Sequence, residues 1–264
     1  MRVVLMLALV VGAAAAAEPR VYFQAHRCAA DEAPENTLPA LRLAYGVPGA
    51  VPEVDLRTTA DGHIVAIHDA TPARTTDAPA PWAARDISEI PLATIRAWDA
   101  GAWFDASFAG VRVPTLEEVF AVVREDDARE IYLDLKAVDE AQIRDAILGA
   151  ALGPRVIFVH PDWDTCERLM NLYPGARTMT WISGPPRHQK RRFDKLLERE
   201  ARGLSQLQFH LPLQAAGPPP SYPLTLAYLA EARQALAAHG VALQVRHEPF
   251  TPATLKPLLD LGIA

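Results

Sequence analysis

Short apolar runs alternate with longer amphipathic stretches along most of this chain. The short runs have the length and the β-branched and aromatic content of buried strands, and the longer stretches repeat their apolar positions at helical spacing. Such alternation indicates parallel strand–helix–strand units. We predict strands at 21–25, 51–57, 63–68, 130–136, 155–160, 176–182, 204–210 and 241–246, and helices at 36–46, 116–125, 141–152, 164–173, 188–202, 224–239 and 251–262.

Local signals define several of these boundaries. Asn36 is predicted to cap the first helix, because asparagine is favoured at helix N-caps. Thr115 is predicted to cap the next helix, with two glutamates well placed near its positive N-terminus. The pair Asp61-Gly62 predicts a tight turn that joins the second and third strands as a hairpin.

The seven strand–helix pairs predict a TIM-type (β/α)8 barrel, in which parallel strands close into a ring. The eighth strand is expected to be missing or truncated at the C-terminus, where the chain stops at Ala264. A doubly wound open sheet is the alternative, but no glycine-rich phosphate loop follows the first strand. We expect residues 18–264 to form a single domain with an irregular insertion at roughly 70–112, after the second strand.

The N-terminal residues predict a targeting segment rather than part of the fold. Arg2 is a basic start, residues 3–12 are apolar, and the alanines at 15–17 fit the rule for signal-peptide cleavage. A membrane anchor is the less favoured alternative, because the apolar run is too short to span a bilayer comfortably. Residues 1–17 are therefore expected to be a signal peptide cleaved near Ala17, and the mature protein to be periplasmic or secreted.

Composition and charge narrow the classes of partner. The chain has 264 residues, of which 50% are hydrophobic, and this supports a sizeable core. Its net charge of −6 argues against nucleic acid as a partner, because nucleic-acid binding calls for a basic surface.

The two cysteines, Cys28 and Cys166, lie far apart in sequence. Export permits a disulfide, but two separate thiols are the favoured prediction.

Carboxylates sit inside two of the predicted strands. Glu53 and Asp55 share one face of their strand, since side chains alternate along a strand, and Asp134 shares a face with Lys136 in the strand at 130–136. Carboxylates this close repel unless a cation lies between them. A site made of oxygen ligands suits Mg²⁺ or Ca²⁺. Two alternatives stay open, namely an ion pair with Arg57 or Arg27, and Zn²⁺ with His26 or His68 as a ligand.

Two histidines fall at the ends of predicted strands. His26 ends the first strand and His68 the third, and strand ends carry the active site in barrels of this kind. A pair of histidines beside carboxylates favours general acid–base chemistry near neutral pH. Arg27 is suited to bind a phosphate oxygen, and Lys136 adds a point charge. The set therefore predicts displacement at phosphorus.

These residues resemble the glycerophosphodiester phosphodiesterase family, whose barrels are related to those of phospholipase C. The family pattern is His-Arg-Gly, Pro-Glu-Asn-Thr, Glu-x-Asp, Thr-x-Asp-Gly and His-Asp, in that order. The chain has the corresponding segments in the same order: His26-Arg27-Cys28, Pro34-Glu35-Asn36-Thr37, Glu53-Val54-Asp55, Thr59-Ala60-Asp61-Gly62 and His68-Asp69.

The resemblance implies a fold, an activity and roles for single residues. It implies a TIM-type barrel that hydrolyses glycerophosphodiesters, which are small molecules, to glycerol 3-phosphate and an alcohol. By the same likeness the catalytic acid–base pair is His26 and His68, the ligands of a divalent cation are Glu53, Asp55 and Asp134, and Arg27 contacts the phosphate.

The chain departs from the family pattern at two of these positions. Asp134 stands where the family has a glutamate, and it is one methylene shorter, so the ion must shift or accept a bridging water. Cys28 replaces a glycine. We also expect Trp181, at the end of a later strand, to line the site of the leaving group.

Two further functions are weighed beside glycerophosphodiester hydrolysis. One is phospholipase D-like action on sphingolipids or lysophospholipids, which implies transient lipid contact through the aromatic residues of the insertion. The other is a catalytically decayed protein that binds phosphodiesters, suggested by the departures from the family pattern.

Overall fold

A computed structural model describes residues 22–211, 222–246 and 252–263 of the chain. Strands and helices alternate as the sequence predicts. The strands are β1 (Phe23–Ala25), β2 (Ala50–Thr58), β3 (Ile64–Ala66), β4 (Ile131–Ala137), β5 (Val156–Val159), β6 (Arg177–Ile182), β7 (Gln206–His210) and β8 (Ala242–Arg246). The helices are α1 (Leu38–Tyr45), α2 (Leu92–Ile95), α3 (Leu116–Val123), α4 (Glu140–Gly149), α5 (Trp163–Met170), α6 (Pro186–Glu198), α7 (Leu226–Ala237) and α8 (Pro252–Asp260).

Seven of the strands form one curled parallel sheet in the order β1-β2-β4-β5-β6-β7-β8, and β3 pairs antiparallel with β2. The predicted TIM-type architecture is confirmed. Within the described residues no strand pairing joins β8 to β1, so the parallel sheet is a half-barrel rather than a closed ring. The hairpin predicted at Asp61-Gly62 is also confirmed, and Gly62 supplies the positive φ of 83° that its turn requires.

The two faces of the sheet pack differently. On the outer face, Val54, Leu56 and Leu133 are fully buried in one core cluster together with residues of α1 and α3. On the inner face, a smaller apolar cluster that includes Tyr132 and Met179 lies among polar side chains. The Tyr132 hydroxyl, for example, donates a 2.8 Å hydrogen bond to Gln206. Polar side chains of several strands therefore face the interior of the barrel.

The helix caps confirm one prediction and correct another. Thr115 and Glu118 form a reciprocal capping box at the start of α3, as the sequence indicates. The predicted cap at Asn36 is wrong, because Thr37 caps α1 by accepting a hydrogen bond from the amide of Ala40. Asn36 has a positive φ of 57°, a conformation that asparagine tolerates, and its side-chain amide is directed into the barrel.

The segment between β3 and α3 contains short turns of 3₁₀ helix and α2, and it has a small core of its own. Ile87, Ile90 and Ile95 are fully buried there. Trp98 belongs to the same core, with its ring 6.5 Å from that of Trp82. These two tryptophans therefore pack inside the segment instead of forming an exposed lipid-facing rim.

Both cysteines are free and buried, which confirms the prediction of two separate thiols. Among the described residues, no helix has the length and apolar character needed to cross a membrane. The predicted signal peptide lies outside the described residues.

Candidate active site

The three predicted metal ligands converge at one end of the half-barrel. Asp55 on β2 and Asp134 on β4 are register partners on adjacent parallel strands, and Glu53 lies two residues before Asp55 on the same face. Each of the three offers a carboxylate oxygen that lies within 4.8 Å of the other two, and all three residues are buried. This convergence is what the alternation of side chains along the two strands predicts.

Two cations contact these carboxylates. Lys136 Nζ lies 2.6 Å from an oxygen of Asp134 and 3.2 Å from one of Asp55. Arg27 Nε lies 3.7 Å from the other oxygen of Asp55. Burial opposes the charged form of Lys136, but the contacts with Asp134 and Asp55 together outweigh burial and raise the pKa of the ammonium. Arg57, the other arginine considered for an ion pair, instead donates from its Nε to the carbonyl of His68 at 2.9 Å.

The electrostatics of the carboxylates fit a bound cation. Burial, reinforced by the charge of Asp55, raises the pKa of Glu53 well above its ordinary value. Burial also raises the pKa of Asp134, although Lys136 opposes the shift. A divalent ion beside three carboxylates and two basic side chains would leave one net positive charge, which matches the single negative charge of a phosphodiester.

The loop after β1 brings backbone and side chains to the carboxylates. Arg27, Cys28 and Ala29 all have positive φ, between 47° and 76°. This turn directs the backbone N–H of Arg27 to the carboxylate of Glu53 at 2.8 Å. The Cys28 thiol donates to the backbone carbonyl of Glu53 at 3.4 Å. The strained turn therefore holds Glu53 from two sides.

Asn36 orients Asp55, a role that the sequence analysis missed. Its Nδ2 donates to the Asp55 carboxylate at 2.8 Å, and its Oδ1 accepts from the Asp55 backbone N–H at 3.0 Å. A side-chain amide carries a donor N–H₂ and an acceptor oxygen, so it can make both of these hydrogen bonds at once. The segment Pro34-Glu35-Asn36-Thr37 was a signal for this role, but reading Asn36 as a helix cap concealed it.

His26 lies between the carboxylates and the open side of the half-barrel. Partial burial, together with the charges of Arg246 and Arg27, lowers the pKa of His26 to about 4. The charge of Asp55 opposes this shift. The residue is nevertheless exposed, and it lines a crevice. His26 is therefore neutral at pH 7 and ready to accept a proton.

His68 is held by a chain of ionic contacts. Its Nδ1 lies 2.7 Å from Asp69, and Asp69 in turn accepts a hydrogen bond of 2.6 Å from Arg74 Nε. Arg74 also binds Glu35 through two hydrogen bonds of 2.6 and 2.8 Å. The sequence analysis missed Arg74, which follows Asp69 by five residues in the segment that was predicted to be irregular.

Trp181 lies on β6 beside the same end of the sheet. Its ring stacks on that of His210, with centroids 6.1 Å apart and planes 4° from parallel. Burial, together with the charges of Arg246 and His26, lowers the pKa of His210 to about 4. A contact between Trp181 and the substrate's leaving group stays a prediction.

A crevice of about 490 Å³ opens beside His26, lined by β1 and β8, the two strands that no pairing joins within the described residues. Its volume lies in the range of small-molecule sites. Apolar side chains make up much of its wall. Those from β1, β8 and α8 include Phe23, Val245, Leu255, Leu258 and Leu259.

Solved structures share this fold over nearly the whole chain. A glycerophosphodiester phosphodiesterase from Agrobacterium tumefaciens superposes with a TM-score of 0.68 at 21% identity, covering 92% of each chain. A phosphodiesterase from Oleispira antarctica, solved in complex with the product sn-glycerol-3-phosphate, has a TM-score of 0.67 at 23% identity and covers 92% of this chain and 90% of its own. At these identities the likeness concerns the fold.

Sequence relatives match the part of the chain that holds the site. A glycerophosphodiester phosphodiesterase from Caldanaerobacter subterraneus subsp. tengcongensis is 39% identical over 103 residues, which are 39% of this chain and 40% of the relative. One from Bacillus subtilis is 32% identical over 128 residues, which are 46% of this chain and 41% of the relative. The matches thus span about two fifths of the length of these relatives. The profile of the glycerophosphoryl diester phosphodiesterase family matches residues 26–213, and the chain belongs to that family.

Proposed function

We propose that this protein hydrolyses glycerophosphodiesters to sn-glycerol 3-phosphate and an alcohol, with a divalent cation and with His26 and His68 as the acid–base pair. The observation that carries the proposal is the buried set of Glu53, Asp55 and Asp134, whose carboxylate oxygens lie within 4.8 Å of one another. Membership of the family and the product bound to the Oleispira antarctica relative support the same substrate class.

The three carboxylates would hold the cation, and Mg²⁺ or Ca²⁺ suits their oxygen ligands. When bound, such an ion neutralises negative charge on the phosphodiester. Arg27 and Lys136 add two further positive charges that bind phosphate oxygens. These groups position the phosphorus beside the two histidines. They also offset the negative charge of the phosphodiester, which would otherwise be unfavourable in a buried site.

The histidines divide the proton transfers. His26, which is neutral at pH 7, takes the proton of the attacking nucleophile. His68, in its doubly protonated form, donates the proton on Nε2 to the leaving alkoxide and is left neutral with its Nδ1 proton hydrogen-bonded to Asp69. Its Nδ1 is engaged by Asp69, so Nε2 is the ring atom available for that transfer. Arrangement of the acid and base on two separate strand ends suits attack on one side of the phosphorus and departure on the other.

The experiment is a hydrolysis assay with glycerophosphocholine and glycerophosphoethanolamine, in Mg²⁺ or Ca²⁺ and in chelator. We expect release of sn-glycerol 3-phosphate that chelator abolishes and that the variants His26→Gln and His68→Gln lose. The control is His63→Gln, since His63 is exposed in the hairpin turn between β2 and β3. The proposal fails if the cation-loaded protein releases no sn-glycerol 3-phosphate from either substrate.

A second candidate function is hydrolysis of single-chain lysophospholipids, and the crevice beside His26 favours it. The crevice runs from the candidate acid–base residue to apolar side chains at the surface. Phe23 and Leu259 are 43% and 38% exposed at its wall. An alkyl chain attached to a phosphodiester at the carboxylates would lie in this crevice, and transient contact with a lipid surface would follow.

The ratio of kcat/KM for lauroyl-lysophosphatidylcholine to that for glycerophosphocholine tests this candidate. Replacing both wall residues in Phe23→Ser/Leu259→Ser is expected to lower the ratio by about tenfold, since each loses apolar contact with the chain. Leu148→Ser is the matched control, because Leu148 is 51% exposed on α4. An unchanged ratio in the double variant would exclude the crevice as a chain-binding site.

The decayed-site hypothesis predicts negligible affinity for Ca²⁺ or Mg²⁺ in calorimetry. The converging carboxylates oppose this hypothesis, because three buried acids that bind no cation would lower the stability of the fold.

Export to the periplasm or beyond remains a proposal that rests on the N-terminal pattern. N-terminal sequencing of the mature protein tests it, with Glu18 the expected first residue.

A further inference from the structure

Arg74 contacts two acidic side chains that come from different motifs. Its Nη1 and Nη2 donate to the two oxygens of Glu35 at 2.8 and 2.6 Å. Its Nε and Nη2 donate to the two oxygens of Asp69 at 2.6 and 3.0 Å. One guanidinium therefore forms a bidentate pair with each of two carboxylates, an arrangement that fixes orientation as well as distance.

The two acidic partners of Arg74 connect it to two parts of the candidate site, the phosphate-binding Arg27 and the acid–base residue His68. Glu35 accepts hydrogen bonds from Arg27 Nη1 at 3.2 and 3.3 Å, and Arg27 faces the metal-ligand candidate Asp55 at 3.7 Å. On the other side, Asp69 lies 2.7 Å from His68 Nδ1. A continuous series of ionic contacts thus joins the phosphate-binding arginine to the acid–base histidine, with Arg74 at its centre.

Geometry assigns a tautomer to His68 in its neutral form. A carboxylate can only accept hydrogen bonds, so Nδ1 carries the proton that Asp69 binds, and Nε2 is left as the reactive nitrogen. The orientation of Asp69 depends in turn on Arg74, which contacts both of its oxygens. If Arg74 were absent, the half-exposed Asp69 would be free to turn toward solvent.

We propose that Arg74 is a positioning residue that holds Asp69 against His68, and thereby sets the tautomer and orientation of the acid–base histidine relative to Arg27. This inference rests on the proposed function. Arg74 acts through its neighbours and needs no contact with substrate. Charge alone is insufficient for this task, because the compact ammonium of a lysine cannot form two bidentate pairs at once.

The first test compares kcat and KM for glycerophosphocholine in Arg74→Met, Arg74→Lys and Asp69→Asn. We expect each to lower kcat by at least about a hundredfold, the scale of a misplaced catalytic group, while KM changes less than about threefold. Arg42→Met is the matched control, since Arg42 forms a similar bidentate pair with Glu125 on the surface. It should keep the wild-type kcat.

A double variant distinguishes positioning from a general effect on the site. If Arg74 acts through Asp69, Arg74→Met/Asp69→Asn should be no slower than Asp69→Asn alone, because the single change has already broken the series. Multiplicative losses would overturn the proposal, and so would a kcat for Arg74→Met within about threefold of the wild type.

The imidazole ¹⁵N spectrum of His68 supplies a readout that does not need activity, with His68→Gln giving the assignment. The folded wild type at mildly alkaline pH should show protonated Nδ1, and Arg74→Met a mixture of tautomers. An unchanged tautomer in Arg74→Met overturns the proposal even if kcat falls. Should the wild type hydrolyse no glycerophosphodiester, the proposed function fails, and this spectrum still decides whether Arg74 positions His68.

Discussion

Asp55 and Asp134 are register partners on β2 and β4, and both lie within hydrogen-bond distance of the ammonium of Lys136. Lys136 therefore contacts two of the three carboxylates that would hold a divalent cation. The ammonium offsets the charge of the two buried carboxylates when no cation is present. Under the proposed function it would also lie next to the substrate's phosphate. This double task makes the residue a sensitive probe of the site.

We expect Lys136→Met to separate cation binding from turnover. Removing the competing ammonium should tighten Ca²⁺ binding by at least about tenfold, or about 1.4 kcal/mol. The same change should lower kcat/KM for glycerophosphocholine, because the phosphate loses a cationic partner. Calorimetry with Ca²⁺ alone gives the first quantity and a steady-state assay the second. Weaker Ca²⁺ binding in this variant would contradict the reading of Lys136 as a competitor.

Glu53→Gln should stabilise the cation-free protein while abolishing cation binding. The pKa of Glu53 is raised in the folded state, so the folded protein binds a proton there more tightly than the unfolded chain does. Stability from this group is present at low pH and lost as the pH rises, and at pH 7 the ionised form carries a cost that glutamine avoids. The glutamine oxygen can still accept from the Arg27 amide.

Thermal melts in chelator and in Ca²⁺ check this prediction. In chelator the melting temperature of Glu53→Gln should exceed that of the wild type. In Ca²⁺ at a hundredfold excess over its Kd, the wild type should gain about 2.7 kcal/mol, and the variant should gain nothing. A variant that melts earlier than the wild type in chelator would show that the carboxylate contributes more through its contacts than burial costs.

Cys28→Gly should preserve or raise kcat/KM. Cys28 has a φ of 63°, a left-handed conformation that costs about 1–2 kcal/mol in residues other than glycine. Glycine removes that cost but also removes a buried thiol that donates to the Glu53 carbonyl, so the net change in unfolding free energy should stay within about 1 kcal/mol. Cys28→Ala is the control that loses the thiol and keeps the strain. A large loss of turnover in both variants would assign the thiol a role in catalysis, whereas a loss in the glycine variant alone would show that the turn needs a side chain at this position.

The sequence predicts the carboxylate set because two strands with alternating side chains can place Glu53, Asp55 and Asp134 only on the inner face. The rule of strand ends locates His26 after β1, whereas His68 follows the antiparallel strand β3 and reaches the site because the hairpin returns to the level of Asp55, whose carbonyl accepts from the amide of Ile67. These are local properties, and pairing of neighbouring parallel strands then brings them together.

The supporting residues could not be predicted in this way. Arg74 reaches Glu35 across 39 residues of sequence, through a turn in a segment without periodicity. The role of Asn36 is not evident from the sequence, because an asparagine just before a helix can either cap that helix or bind a side chain elsewhere. Here it binds Asp55. The crevice likewise cannot be predicted from the sequence, since it depends on where α8 packs relative to the edge of β1 that faces away from β2.

His210 should make the protein less stable in mild acid. Burial and the charge of Arg246 lower its folded-state pKa to about 4, against an ordinary value of 6.5. As the pH falls from 6.5 toward 4, the unfolded chain gains a proton that the folded protein does not, so stability declines through this window. Because the ring is only partly buried, we expect His210 to account for about 1–3 kcal/mol of the decline.

Urea unfolding at about pH 7.5 and about pH 4.5 measures this loss, and His210→Gln should reduce it. His239→Gln is the matched control, because His239 is exposed at the end of α7. An equal loss of stability in His210→Gln and the wild type would contradict the assignment and place the acid sensitivity elsewhere.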